Sequence, residues 1–309
     1  MTDPFERDTS VTYGVAEEIA VPGVAVRRIT CRNPSPMTFT GTQTYLVGQG
    51  DDLTVIDPGP EDPAHRDAIL RAAGGRIARI LVTHTHVDHS AGAPGLAEAS
   101  GAETHAFGPH GSGMTEVMRD LAGASDLGGG EGGDRGFRPH HGLADGDTVV
   151  GAGWTLRALH TPGHLSNHLS FALEGTGVVF TGDTVMGWAT TLVSPPEGDM
   201  AAFMASLERL AARADTLYLP GHGAPVRDPA AMLSHQLAHR RQRAQQILTA
   251  LSDGPAEPEA LTRRIYVDLA PELLPAASRN VLATLIWQVA DGAVRVEGRI
   301  GPRARYRLA

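Results

Sequence analysis

The sequence predicts an α/β protein closed by a small winged-helix-like tail, and three observations predict it. Short apolar runs of strand length alternate with helix-period segments from roughly residue 20 to residue 225. Four of those runs end in a tight turn carrying His or Asp: Thr83-His84-Thr85-His86-Val87-Asp88-His89, Thr161-Pro162-Gly163-His164, Gly182-Asp183-Thr184 and Pro220-Gly221-His222-Gly223. From Pro229 onward the alternation gives way to a long helical stretch, two shorter ones and a terminal hairpin. Residues 1–228 are therefore read as one α/β domain, 229–254 as a connecting helix and 255–309 as the winged-helix-like module.

The elements follow in order. Ile19 to Ile29 and Gln43 to Val47 have the composition of short strands, separated by the turn Asn33-Pro34-Ser35-Pro36. Leu53-Thr54-Val55-Ile56 is a third strand, ending at Asp57-Pro58-Gly59-Pro60. A helix fits Pro63 to Ala73, and a strand from Arg76 to Val82 delivers the first His-rich turn. The small residues Ser90-Ala91-Gly92-Ala93 start a helix that runs to Ala99, and Gly101 to Phe107 is another strand. Residues 121–138, centred on the run Gly128 to Gly133, cannot build a core and read as a mobile surface loop. No Gly-Lys-Ser/Thr follows that run, so it is not a phosphate cradle. Thr148 to Leu159, His168 to Leu173 and Val178 to Thr181 supply two strand pairs. Asp199 caps a helix in which Met200, Phe203, Met204, Leu207, Leu210 and Ala211 recur at core spacing. Thr216 to Leu219 is the domain's last strand. Beyond it Pro229 to Leu251 reads as one helix, stopped by Ser252-Asp253-Gly254-Pro255. Glu259 to Val267 and Ala277 to Val289 are helical, and Val294 to Val296 with Arg303 to Leu308 form the hairpin.

Composition bounds the function. A chain of 309 residues has room for a large core plus a small module. No apolar run reaches the ~18 residues of a membrane span, and Met1 to Asp8 lacks the basic and apolar parts of a signal peptide. Cys31 is the only cysteine, which excludes an intramolecular disulfide and a thiolate cluster, and it reads as a small buried hydrophobe. A cytoplasmic enzyme without a membrane partner is expected. The net charge of −9 speaks against a nucleic-acid binder over its whole surface. Every basic residue is arginine, a composition bias rather than a functional signal.

The chemistry lies in the turns. His84, His86, Asp88 and His89 place four metal-ligating side chains within six residues, directly after a buried strand. Two histidines spaced two apart on extended or tightly turned backbone can aim their imidazoles the same way. Asp88 and His89 fall where the chain turns helical and can address a second point nearby. Imidazole and carboxylate without thiolate suit zinc, with manganese and iron as alternatives. His164, Asp183 and His222 then arrive at three further strand ends, each offering a ligand to a single sheet edge.

With all four turns in hand, the chain resembles the metallo-β-lactamase superfamily. The signature His-x-His-x-Asp-His, then a His, an Asp and a final His, is met in order across roughly residues 20 to 225. That resemblance implies an αββα sandwich, two mixed sheets face to face with helices outside. It implies two Zn2+ ions (or Mn2+ or Fe2+), the first held by His84, His86 and His164, the second by Asp88, His89 and His222, with Asp183 bridging both. Two divalent cations ~3.5–4 Å apart need such an anionic bridge, and they acidify bound water enough to supply hydroxide near pH 7. Hydrolysis by a metal-bridging hydroxide is the implied reaction, with Asp88 as the catalytic residue that orients the nucleophile and carries a proton to the leaving group. Asp57 and His168 are candidates for orienting ligands from behind. His140, His141 and His160 have weaker claims. His65, His105, His110, His235 and His239 read as surface or satisfied core.

Departures from the family's branches narrow the expectation. β-Lactamases of this fold usually carry Cys where Asp183 stands, so antibiotic hydrolysis is disfavoured. The glyoxalase II thioesterases share the seven ligands, yet Val185-Met186-Gly187-Trp188 replaces their cysteine- and arginine-bearing glutathione segment. Only 39 positions separate Asp183 from His222, which leaves no space for the long insert of the processing nucleases. The helical tail resembles that of the β-lactamase-like protein 2 group, whose animal member is described as a single-strand endoribonuclease. The leading expectation is a dinuclear zinc hydrolase of a small-molecule ester, thioester or lactone. A single-stranded RNA endoribonuclease is the alternative, supported by Arg295, Arg299, Arg303, Arg305 and Arg307. A non-catalytic zinc-containing nucleic-acid-binding protein is the third reading. A tail of this kind can also cover an active-site rim or build a homodimer surface.

Overall fold

The computed structural model describes residues 4–123, 127 and 132–309. The first sheet has seven strands in chain order: β1 (Glu17–Ile19), β2 (Val26–Thr30), β3 (Gln43–Val47), β4 (Leu53–Ile56), β5 (Ile77–Leu81), β6 (Glu103–Ala106) and β7 (His141–Gly142). Its pairs are antiparallel up to β4 and parallel from β4 onward. The second sheet runs β12-β11-β10-β9-β8, from β8 (Thr148–Gly151), β9 (Trp154–His160), β10 (Leu169–Leu173) and β11 (Val178–Gly182) to β12 (Leu217–Pro220), with only β11 and β12 parallel. Every residue of β3, β4, β10 and β11 is buried, because each strand faces the other sheet on one side and a covering layer on the other.

Three layers of apolar packing give the sandwich. Between the sheets lie Tyr45, Val47, Ile56 and Leu81 from the first and Leu156, Phe171, Phe180 and Leu219 from the second. Tyr45 crosses the gap, its hydroxyl donating to the Pro220 carbonyl at 2.7 Å. Outside the first sheet, α1 (Pro63–Ala73) and α3 (Ala93–Ser100) bury Ile69 and Leu96 against Leu46 and Ile80. Outside the second, α5 (Met200–Ala211) buries Phe203 and Leu207 against Val179 and Tyr218. The Asp62 and Asp199 carboxylates cap α1 and α5 by accepting from backbone N–H groups of the first turn.

The mixed α/β sandwich is thus as expected, with local differences. The run from Ile19 to Ile29 splits into β1 and β2 around a turn at Val21-Pro22-Gly23-Val24, where the Val24 N–H reaches the Val21 carbonyl. After His86 the chain makes one helical turn, α2 (Val87–Ser90), before α3 begins. Within the stretch read as a mobile loop, α4 (Glu116–Ala122) occupies the start, and 128–131 lie outside the described residues. Its far end is anchored rather than loose. The Val87 N–H donates to the Gly132 carbonyl at 2.8 Å, the Asp134 N–H to the Thr85 carbonyl at 2.7 Å, and Ser90 Oγ to the Asp134 carboxylate at 2.9 Å.

The C-terminal part comprises α6 (Pro229–Leu251), α7 (Pro258–Ile265), α8 (Leu274–Ala290) and the hairpin β13 (Val294–Glu297) with β14 (Arg305–Leu308). The long helix α6 serves two cores. Met232, Leu233 and Leu237 near its start pack with α5, whereas Ile247 and Leu251 near its end pack with Leu261, Val281, Leu285 and Tyr306. Ala283 of α8 also joins the α5 cluster, and Met118 and Leu121 of α4 join the tail's cluster. Among the described residues no helix is long and apolar enough to cross a membrane.

Candidate metal centre

The centre forms where strand ends of both sheets meet, which corrects the expectation of a single sheet edge. Past β5, His84 and His86 stand two apart, His86 on extended backbone (φ −82°, ψ 145°), so both rings turn to the same side. The single turn of α2 then carries Asp88 and His89 round to meet them. The second sheet contributes His164 after β9, Asp183 after β11 and His222 after β12.

Their ligating atoms converge. His86 Nδ1 lies 3.1 Å from His84 Nε2 and 3.0 Å from His164 Nε2. His222 Nε2 lies 3.2 Å from both His89 Nε2 and an Asp88 carboxylate oxygen. The Asp183 carboxylate stands between the two groups, 3.7 Å from His164 Nε2, 3.6 Å from His89 Nε2 and 3.3 Å from His222 Nε2. Sets of one ligand atom each, from His84, His86 and His164, from His84, His89 and Asp183, and from Asp88, His89 and His222, all fall within 4.8 Å. A tetrahedron with bonds of ~2.0–2.1 Å places its corners about 3.3 Å apart, the scale of these separations.

Hydrogen bonds behind the rings decide which nitrogen faces inward. Asp57 ends β4 in the left-handed region (φ 52°), and its carboxylate accepts from the Thr83 N–H (2.7 Å), the Thr83 hydroxyl (2.7 Å) and His89 Nδ1 (2.9 Å). Having given its proton to Asp57, the Thr83 hydroxyl accepts from His84 Nδ1 at 3.0 Å. His164 Nδ1 donates to the Leu192 carbonyl at 2.8 Å, and His222 Nδ1 to the Gly41 carbonyl at 3.2 Å. Four rings therefore spend Nδ1–H outward and present Nε2 to the centre. Of the two readings of Asp57, turn former or orienting residue, these contacts favour the second.

Electrostatics point the same way. Burial, reinforced by the neighbouring imidazoles, pushes His84 well below the ordinary imidazole range, and burial with His164 takes His86 down to about 3. On the other side, burial opposes charge on His89 and His222. Nevertheless Asp88 and Asp183 hold His89 well above the ordinary range, and Asp183 with Asp88 carries His222 up to about 9. Burial likewise opposes charge on Asp183, yet His222 and His89 keep its pKa well below the usual carboxylate range. The cluster draws positive charge toward its two carboxylates, and divalent cations meet that demand while leaving the imidazoles neutral. A buried Asp183 oxygen has no hydrogen-bond partner among the described residues, as an oxygen kept for a cation would. The donor set fits two divalent metals.

His168, a candidate for orienting ligands from behind, lies against two of the candidate ligands. It is fully buried, its ring stacked 4.9 Å from that of His84, and its Nε2 accepts from the Asp183 N–H at 3.1 Å. These contacts brace the Asp183 turn from behind. His110, read as surface or core, lies beside the centre. Its Nδ1 is 3.1 Å from the Thr85 hydroxyl and its Nε2 3.0 Å from the Glu197 carboxylate. Asn167 donates to the same Thr85 hydroxyl at 2.9 Å. His65 is a buried core residue bonded to Thr44, with burial lowering its pKa to about 4. Cys31 is buried, and burial pushes its thiol up to about 12, so it is no nucleophile.

Comparison with known proteins gives the family. The model of the metallo-β-lactamase superfamily matches residues 37–222, and that of the β-lactamase-associated winged helix domain matches residues 258–302. The chain is 31% identical to the β-lactamase-like protein 2 homolog of Drosophila melanogaster, over 88% of this chain and 90% of that one. It is also 31% identical to the atrochrysone carboxyl ACP thioesterase of Passalora fulva, over 90% and 79%. A solved β-lactamase domain protein from Burkholderia ambifaria superposes with a TM-score of 0.80 at 25% identity, covering 98% of this chain and 96% of that one.

Proposed function

The chain belongs to the metallo-β-lactamase superfamily and is a hydrolase, and from that premise we propose that it is a dinuclear zinc enzyme cleaving an ester, thioester or lactone bond. The observation that carries the proposal is the seven-residue convergence with Asp183, a carboxylate, at the shared position. In this reading His84, His86 and His164 would hold one ion and Asp88, His89 and His222 the other, with the Asp183 carboxylate available to both. Bound there, the two ions supply Lewis acidity toward the scissile carbonyl and a water acidic enough to ionise near pH 7. Asp57, Thr83, Leu192 and Gly41 keep the histidine lone pairs aimed inward, so no reorganisation is needed during turnover. Asp88 is the most exposed carboxylate of the set, its side chain 22% accessible against 9% for Asp183. In this reading it would orient the attacking water and pass a proton to the leaving group.

The rim supports an acyl substrate. Phe39 stacks on Trp188 with ring centres 5.0 Å apart, and the neighbouring Gly187 N–H donates to the His222 carbonyl at 3.1 Å. Met37, two residues before Phe39, and Val87, next to Asp88, are exposed. Such a lip suits the apolar body of an ester or thioester, and a relative named a thioesterase points to the same bond class.

One observation favours the second reading, an endoribonuclease acting on single strands. In the terminal hairpin Arg295 pairs directly across from Arg307, both exposed, a like-charge pair that an anionic backbone would relieve. A panel of thioesters, lactones, nitrocefin and labelled single-stranded RNA, tried on the zinc-loaded protein, separates the readings. We expect turnover of thioester or ester and little of nitrocefin. Cleavage of RNA alone, lost on Arg295→Glu with Arg307→Glu, would establish the second reading instead.

A further inference from the structure

Between the Asp183 turn and α5 runs the segment Thr191-Leu192-Val193, and both of its sides are spoken for. Toward the centre, the Leu192 carbonyl accepts from His164 Nδ1 at 2.8 Å, and the Thr191 hydroxyl donates to the Asp183 carbonyl at 2.7 Å. The same three residues therefore hold one ligand by its ring and another by its backbone. Away from the centre, they meet the C-terminal helices. The Arg240 guanidinium of α6 donates to the Thr191 carbonyl. The Val193 N–H donates to Asn280 Oδ1 of α8 at 3.1 Å, and Arg240 Nη1 donates to that oxygen at 3.3 Å.

Arg240 is an expensive residue to put there. It is 5% exposed, its guanidinium lies 5.2 Å over the Phe203 ring, and its Nε has no partner among the described residues. No carboxylate pairs with it among those residues. A buried cation without a counterion costs several kcal/mol of desolvation, and a methionine or leucine would pack the same space without that cost. Packing alone does not explain it. Its planar fork instead fixes a backbone carbonyl and an amide oxygen at once, a geometric task.

We infer that Arg240 and Asn280 are positioning residues for the metal centre, through which the C-terminal helices hold the Thr191–Val193 segment and with it His164 and Asp183. The tail is then part of the hydrolase's machinery, acting two hydrogen bonds from the metals. It also follows that ion binding and docking of α6 and α8 reinforce each other, since each fixes the segment the other needs.

This inference rests on the dinuclear reading, and the experiment separates the two. Full-length wild type, Arg240→Met, Arg240→Lys and Asn280→Ala are titrated with Zn2+ against a chelating dye, and the Co2+-loaded forms are examined by visible spectroscopy. Arg241→Ala is the control, a residue on the same helix whose contact is an exposed ion pair with Glu208. Arg240→Met and Asn280→Ala are expected to weaken one of two Zn2+ equivalents by about tenfold or more, the scale for partners that orient ligands, and to alter the Co2+ spectrum. Arg240→Lys restores part of the affinity, and Arg241→Ala matches wild type. Should Arg240→Met fail to fold, Asn280→Ala and Arg240→Lys decide the matter alone. Wild-type affinity and spectrum in Asn280→Ala together with the soluble Arg240 variants overturn the inference while leaving the dinuclear reading standing. Wild type that binds no second equivalent overturns the reading itself.

Discussion

Asp183→Ala lowers kcat/KM for the preferred ester or thioester by at least about 10³-fold while the metal-free protein keeps its fold. Among the described residues, Asp183 is the carboxylate within reach of both histidine groups, 3.7 Å from His164 Nε2 and 3.3 Å from His222 Nε2. In the dinuclear reading, a second cation would lose the negative charge that offsets its repulsion from the first, and transition-state stabilisation by the pair would go with it. The fold persists because the residue lies in a strand-end turn outside the apolar clusters. Steady-state kinetics, zinc content and a thermal melt of the chelated protein check the result. A variant that keeps two zinc equivalents and wild-type turnover would show that Asp183 does not bridge.

Gly221→Ala has the next largest effect, for a steric reason. A Cβ built on Gly221 falls 2.5 Å from an Asp183 carboxylate oxygen and 2.6 Å from His89 Cε1, closer than non-bonded Cβ contacts come. The backbone there is pinned, its N–H donating to the Gly182 carbonyl at 2.9 Å and its carbonyl accepting from the Gln43 N–H at 2.8 Å. The methyl group must therefore displace the ligands. Misplacement by about 1 Å is expected to cost about 10²-fold in kcat/KM, with loss of one zinc equivalent. Wild-type activity in this variant would mean that the turn yields and the ligands need no such closeness.

The seven candidate ligands were legible in the sequence because their donor atoms belong to side chains at the ends of recognisable strands, as with His164 after Trp154–His160 and His222 after Leu217–Pro220. What orients them was only partly legible. Asp57 could be suspected from its place at a strand end, but the carbonyls of Gly41 and Leu192, which hold His222 and His164, carry no side-chain signature. His110 looks like any loop histidine until Thr85, Asn167 and Glu197 are brought beside it by three separate segments. Arg240 sits in a polar helical stretch, Ala238-His239-Arg240-Arg241, where a solvated face is the natural reading. Only the packing of α6 against α5 and α8 shows that it is buried. The elements themselves follow local rules, which is why α1 and α6 run over the residues expected of them. The meeting of two sheet edges is a long-range fact, and no local pattern encodes it.

The central claim is that these residues hold two cations on which turnover depends. It is addressed most directly by measuring bound zinc and hydrolytic rate on one sample as metal is stripped and then restored. Activity is expected to vanish on exhaustive chelation and to return in step with zinc up to two equivalents per chain. Full activity in a protein shown to retain no metal would contradict it.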